Sequence, residues 1–174
     1  MSLFSRLTHE RSIHSRQGSF HATSAPDSAH SESHDTILVA LSGSALDHET
    51  MTVACMMARA HRTNVVHAIY AVEVPRSLAV TDEMPSAQAE AAAALDRACN
   101  DAVPFGLHVT REYVQSRDAG ECLVQLARRD DCALLVIGLP CGKESEGDST
   151  EKVDNVLRKA PCRVWVVRDT PIAA

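Results

Sequence analysis

Cys132-Ala-Leu-Leu-Val-Ile-Gly138 is an unbroken apolar run of strand length in the C-terminal half of the chain. A strand with no polar alternation is typical of a parallel sheet that helices cover on both faces. An amphipathic helix is predicted on each side of the run. Asp118 caps the first helix, with Glu121 at its third position, and Asp148 caps the second. The run therefore predicts a buried strand between two crossover helices of an α/β sheet.

The same alternation of strand and helix extends over the rest of the chain after residue 35. Four further strands are predicted by apolar or alternating runs: Thr36–Leu41, 64–74, 107–114 and Arg163–Arg168. The first helix is expected to be capped by Ser44, with Asp47 in a capping-box position and with Val53, Met57 and Ala60 on one face; the second helix spans 85 to about 103. Because such β/α crossovers are right-handed, the chain predicts a five-stranded, doubly wound parallel sheet of Rossmann type.

Residues 1–35 differ in character from the rest. They are rich in Ser, His and Thr and lack a sustained apolar period, which predicts a disordered tail. The alternative is that Leu3, Phe4, Leu7 and Ile13 form one face of a short amphipathic helix that docks on a partner or on a membrane surface. The folded domain is then expected to span residues 36–174.

Composition excludes several classes of function. The net charge of −6 leaves no broad basic face for nucleic-acid backbones. No apolar run has the length of a membrane span or of a signal-peptide core, so we expect a cytoplasmic protein.

The six cysteines are widely spaced and form no CxxC pair, so we interpret them as structural and predict no metal site. No motif places a nucleophile beside a base, and we expect no catalysis.

A ligand crevice in a sheet of this kind lies beyond the carboxyl ends of the strands, where the strand order reverses. This rule brings together three parts of the sequence: the Ser42-Gly43-Ser44 turn, the end of the second strand at Val72, and the loop after Gly138.

Three segments resemble the universal stress protein family: ILVALSGS at 37–44, LLVIGLPCG at 134–142 and VLRKAPCRVWVVR at 156–168. The resemblance covers residues 36–169. It implies a doubly wound α/β domain of the UspA type with a role in stress response and regulation. It also implies a homodimer that forms through the final strand, here Val164, Trp165, Val166 and Val167.

Nucleotide-binding members of that family carry an Asp after the first strand and a G-x2-G-x9-G-[ST] loop around the phosphates. This chain has Ser42 in place of the Asp, and it keeps Gly138 but has Cys141 at the second glycine, with Gly142 beside it. The loop is one residue shorter, and residues 143–152 hold four acidic side chains against two lysines. The resemblance thus implies a degenerate nucleotide crevice that contains Ser42, Gly43, Ser44, Val72, Gly138, Gly142 and Thr150.

Three functions follow from this sequence as hypotheses. The first is a non-catalytic universal stress protein that works as a regulatory or binding module, for which the sequence identifies no cofactor. The second is a switch that binds ATP or AMP in the crevice. The third is an accessory subunit that docks through residues 1–35 on a membrane transport or energy complex.

Overall fold

The computed structural model of the chain describes residues 36–140 and 148–168, and only the backbone at 148 and 149. The predicted tail, residues 1–35, and the loop residues Cys141 and Gly142 lie outside these ranges. Within them, strands and helices alternate, with a short 3-10 helix at Val103–Phe105 before the third strand. In chain order the elements are β1 (Thr36–Leu41), α1 (Asp47–Ala60), β2 (Val65–Glu73), α2 (Pro85–Ala102), β3 (His108–Ser116), α3 (Ala119–Arg129), β4 (Cys132–Leu139), α4 (Asp148–Lys159) and β5 (Arg163–Arg168).

The strands form one parallel sheet in the order β3-β2-β1-β4-β5. β1 lies at the centre, where Val39 is in register with Ala68 of β2 and with Val136 of β4. The chain moves from β1 outward to β2 and β3, and then returns to the other side of β1 with β4 and β5. This reversal between β1 and β4 confirms the predicted doubly wound architecture.

Two apolar layers cover the two faces of the sheet. On one face, Ile37, Val39 and Val136 pack with the buried residues of α1 and α2. On the other face, Leu38 and Leu135 pack with α3 and α4. Since alternate residues of β1 and β4 enter opposite layers, these strands must be apolar throughout, as the run at 132–138 indicates.

The start of α1 differs from the sequence-based expectation. Its first residue is Asp47, Leu46 lies at the N-cap position, and no side chain caps it, so the prediction that Ser44 caps this helix is wrong. The reason is an extra turn after β1, in which the N–H of Asp47 donates to the carbonyl of Ser44 at 3.2 Å. The buried face also differs from the expected one: Met51, Ala54, Cys55 and Ala58 are buried, while Val53 and Met57 are half-buried and Ala60 is exposed.

The start of α3 agrees with the expectation. Asp118 has an extended backbone, and its Oδ1 accepts a hydrogen bond from the N–H of Glu121 at 2.8 Å. This is the predicted N-cap.

β5 is an edge strand, because its one neighbour in the described sheet is β4. Val164 and Val167 are half-buried against the helices, whereas Trp165 is 44% exposed and Val166 is 37% exposed. No helix within the described residues is long and apolar enough to cross a membrane.

Candidate functional site

A crevice of about 370 Å³ opens at the carboxyl ends of β1, β2 and β4, at the point where the strand order reverses. Ser42, Val72 and Gly138 line it, so three of the residues predicted from sequence lie together at one cavity. Most of the other lining side chains are apolar, from the strand ends, α2, α3 and α4: Ala40, Leu41, Ala71, Ala87, Ala119, Leu123, Ile137, Pro140, Val153 and Val156.

The β1–α1 loop beside the crevice is organised by Asp47. Its carboxylate accepts hydrogen bonds from the backbone N–H groups of Ser42 and Gly43 at 3.0 and 2.8 Å, and from the Ser42 hydroxyl at 3.1 Å. On the opposite side, the Tyr70 hydroxyl donates to the carbonyl of Ser42 at 3.1 Å. The backbone N–H groups of Ser42 and Gly43 are thus satisfied by a carboxylate of the protein itself.

Gly43 is required by this loop for two reasons. Its φ is +85°, in the left-handed region that other residues rarely adopt. A Cβ there would also lie 2.9 Å from the Tyr70 hydroxyl and 2.9 Å from Oε1 of Glu90.

Gly138 has a packing role that requires no ligand. A Cβ on Gly138 would lie 2.8 Å from Oγ1 of Thr50 and 3.2 Å from Cδ2 of Leu46, so the glycine permits α1 to approach β4. The presence of this glycine is therefore explained by the contact between the first helix and the sheet.

Glu73, the last residue of β2, connects three elements at the crevice. Its Oε1 accepts a hydrogen bond from the backbone N–H of Ala119, at the start of α3, at 3.0 Å. Its Oε2 pairs with Nζ of Lys152 on α4 at 2.9 Å. Both carboxylate oxygens are engaged, one at a helix N-terminus and one with a lysine.

The crevice is acidic as well as apolar. Its charged lining residues in the described part of the chain are Glu73, Glu90 and Lys152. Burial, followed by the nearby charge of Glu90, raises the pKa of the Tyr70 hydroxyl above its usual value. A ligand here meets an excess of negative charge.

Of the other predicted site residues, Gly43, Ser44 and Thr150 are not among those that line the crevice. Ser44 lines a smaller groove between the β1–α1 loop and α2, with Asp47, His48 and Asp101 among its neighbours. Thr150 is exposed on α4 and is not among the residues that line the crevice. Gly142 lies outside the described residues.

The sequence analysis missed Glu73 and Glu90 as crevice residues. Glu73 had one visible signal, since it is the one acidic residue in the mostly apolar β2 sequence VVHAIYAVE. Glu90 had none, because a glutamate on an Ala-rich helix is typical of a solvated surface.

A second polar cluster lies near the amino end of β2, away from the crevice. Nδ1 of His67 lies 3.0 Å from Oδ2 of Asp130, and its Nε2 lies 3.1 Å from Oε2 of Glu112. Arg129 binds Glu112 through both terminal nitrogens, at 2.8 and 2.7 Å, and its Nε donates to Asp130 at 2.6 Å. Because Arg129 already occupies both carboxylates, we interpret the cluster as an ion network that joins α3 to β2 and β3.

The fold and the crevice define a class of protein: a doubly wound α/β domain with a small-molecule cavity at the carboxyl ends of its parallel strands. The sequence model of the universal stress protein family matches residues 34–168. The chain belongs to the universal stress protein family.

Solved structures of universal stress proteins share the fold. One from Archaeoglobus fulgidus, in complex with dAMP, is 17% identical, with a TM-score of 0.61 over 75% of this chain and 95% of that one. A universal stress protein in complex with cAMP is 21% identical, with a TM-score of 0.59, and the match covers 78% of this chain and 97% of that one. A family member from Arabidopsis thaliana with AMP bound is 11% identical, with a TM-score of 0.54, and the match covers 78% of this chain and 93% of that one. The comparison with curated proteins gives no match.

Proposed function

We propose that this chain is a non-catalytic, cytoplasmic binding module that regulates a stress response through a small molecule held in the crevice. The observation that carries the proposal is the cavity of about 370 Å³ at the carboxyl ends of β1, β2 and β4. Its volume and its mostly apolar lining with a few polar groups are typical of small-molecule sites.

The polar groups of the crevice favour binding over catalysis. Ser42 and Tyr70 are the hydroxyl-bearing residues among the described lining residues. The Ser42 Oγ donates to Oδ1 of Asp47 at 3.1 Å and lies 2.9 Å from Oγ of Ser44. No histidine is among the described lining residues, so the serine has no imidazole to accept its proton. These hydrogen bonds fix the loop, which favours a structural role for the hydroxyl over a nucleophilic one.

A nucleotide switch is the second candidate. It is favoured by relatives of the same fold whose structures hold dAMP, cAMP or AMP. The altered nucleotide loop argues for a degenerate version of such a site, with ATP or AMP as candidate ligands. The third hypothesis, docking of an accessory subunit, depends on residues 1–35, which lie outside the described structure.

The proposal includes a homodimer through β5. The edge strand offers its outer backbone groups for pairing, and the half-exposed Trp165 beside them supplies an apolar anchor for a second copy.

The test of the binding function is a ligand search with a blocked crevice. Small molecules released from the purified full-length protein on denaturation are identified by mass spectrometry, and thermal unfolding is followed with adenosine, AMP and ATP added. Ala87→Trp places an indole at the crevice lining, whereas Ala92→Trp places the same group on the exposed face of the same helix.

We expect at least one ligand to raise the melting temperature of the parent protein and of Ala92→Trp, and to have no effect on Ala87→Trp. A ligand present at about 100 times its Kd adds about 2.7 kcal/mol of stability, which such an experiment resolves. If no ligand is released and none of the three changes the melting temperature, the proposed function is wrong.

A further inference from the structure

Two positions at or beside the crevice would attract a ligand's phosphate, and each is filled by the protein itself. The first is the pair of backbone N–H groups in the β1–α1 loop, which the Asp47 carboxylate binds. The second is the start of α3 together with Lys152, both bound by the Glu73 carboxylate. Helix N-termini and turn amides are the usual sites for phosphate groups.

Glu73 holds its position through both of its oxygens. Oε1 is 3.0 Å from the N–H of Ala119, and Oε2 is 2.9 Å from Nζ of Lys152. Lys152 is the one basic residue among the described lining residues, so the positive charge that a phosphate would need is already neutralised there. A phosphate that approached Lys152 would lie beside the Glu73 carboxylate, so two anions would share the same small volume.

A second lining acid adds to this repulsion, since Glu90 lines the crevice from α2. The rest of the cavity wall is mostly apolar and accepts an uncharged ring.

We propose that Glu73 is an internal substitute for a ligand phosphate, so that the crevice selects an unphosphorylated ligand of nucleoside size, uncharged or cationic. The inference rests on the proposed function, since it assigns a ligand class to the same crevice. It makes Glu73 the residue that sets selectivity against phosphate.

The test compares adenosine, AMP and ATP by calorimetric titration of the full-length protein. Glu73→Gln keeps an oxygen for the N–H of Ala119 but removes the negative charge beside Lys152. Glu49→Gln removes one negative charge from an exposed position outside the crevice and serves as the matched control. The double variant Glu73→Gln/Lys152→Met removes the lysine as well.

We expect the parent protein to bind adenosine about tenfold or more tightly than AMP, and to bind ATP more weakly still. Glu73→Gln should strengthen AMP binding about tenfold and change adenosine binding less than about threefold, while Glu49→Gln changes neither. The double variant should lose the gain for AMP, since that gain depends on the positive charge of Lys152. Circular dichroism and melting temperature establish that each variant is folded.

Two results would overturn this inference and leave the proposed function intact. One is AMP or ATP binding to the parent protein as tightly as adenosine does. The other is a folded Glu73→Gln variant whose AMP affinity equals that of Glu49→Gln. Absence of binding by all three ligands to every variant would instead overturn the proposed function, and the inference with it.

Discussion

Oδ2 of Asp47 accepts a hydrogen bond from the backbone N–H of Gly43 at 2.8 Å, and this contact closes the loop between β1 and α1. The same carboxylate binds the N–H of Ser42, so one side chain satisfies two backbone donors next to the crevice. Asp47 is itself buried, which strengthens both hydrogen bonds.

Asp47→Ala should therefore destabilise the protein by about 2 kcal/mol, because it leaves two backbone N–H groups without their partner. Asp47→Asn keeps one accepting oxygen and should therefore lose less stability than Asp47→Ala. Urea unfolding monitored by circular dichroism measures both. If Asp47→Ala unfolds at the same urea concentration as the parent protein, the loop does not depend on this carboxylate.

The ion network at His67 predicts acid sensitivity. Hydrogen bonds from Arg129 and then from His67 hold the pKa of Glu112 at about 2, below its ordinary value of 4.5. A carboxyl whose pKa is lower in the folded state stabilises the fold above pH 4.5, and this contribution is lost as the pH falls toward 2. Glu112→Gln should lower the free energy of unfolding by about 2 kcal/mol at pH 7.

The difference in the free energy of unfolding between Glu112→Gln and the parent protein should become smaller as the pH falls below 4.5. Denaturant unfolding at pH 7, 4 and 2.5 tests this, and Glu83→Gln at an exposed position should follow the parent protein at every pH. A difference that stays constant over this range would show that Glu112 acts through packing and not through its charge.

Gly138 should tolerate no side chain while Thr50 is present. Gly138→Ala brings a methyl group to 2.8 Å from Oγ1 of Thr50, and overpacking of this kind costs about 1–3 kcal/mol. Thr50→Ala removes that oxygen and a hydrogen bond to the Leu46 carbonyl, at a cost of about 1 kcal/mol.

The loss of unfolding free energy in the double variant Gly138→Ala/Thr50→Ala should be smaller, by at least about 1 kcal/mol, than the sum of the losses in the two single variants. Urea unfolding of the four proteins gives this coupling directly. Purely additive losses would mean that the glycine is required for a reason other than its contact with α1.

Two buried cysteines should be unreactive in the folded protein. Burial, and secondarily the charge of Asp101, raises the pKa of the Cys55 thiol to about 11. Burial, with the neighbouring Cys162, raises the pKa of Cys132 to about 12. At pH 8, alkylation of both should be about 100-fold slower in the native protein than in urea. Mass spectrometry of the labelled peptides measures the rates, and rapid native labelling would contradict the structural interpretation of these cysteines.

Trp165→Glu should abolish the proposed dimer, because it places a charge at the exposed anchor of the β5 edge. Val103→Glu is the control, since Val103 is 71% exposed and follows α2, which packs over the opposite part of the sheet, at β2 and β3. In sedimentation experiments we expect the parent protein and Val103→Glu to be dimers and Trp165→Glu to be a monomer. A dimer that survives Trp165→Glu would place the interface elsewhere.

The strand and helix pattern follows from the sequence because burial on two faces demands apolar residues throughout a strand. The run at 132–138 and the alternation around it predict β4, its flanking helices and the parallel sheet. The Asp118 cap of α3 is equally local, since its partner Glu121 is three residues away. The start of α1 could not be predicted in this way, because Ser44 and Asp47 allow two different hydrogen-bonding patterns and the turn after β1 favours the second.

By itself, the sequence determined the class of fold, the family resemblance and the meeting of Ser42, Val72 and Gly138 at one edge of the sheet. Those features depend on local periodicity and on the general rule that parallel strands end at a common edge. Only the tertiary structure decided that Glu73 reaches both Ala119 and Lys152, 46 and 79 residues further along the chain. Such contacts depend on how α3 and α4 pack across the sheet, and distances between elements far apart in sequence are fixed by that packing.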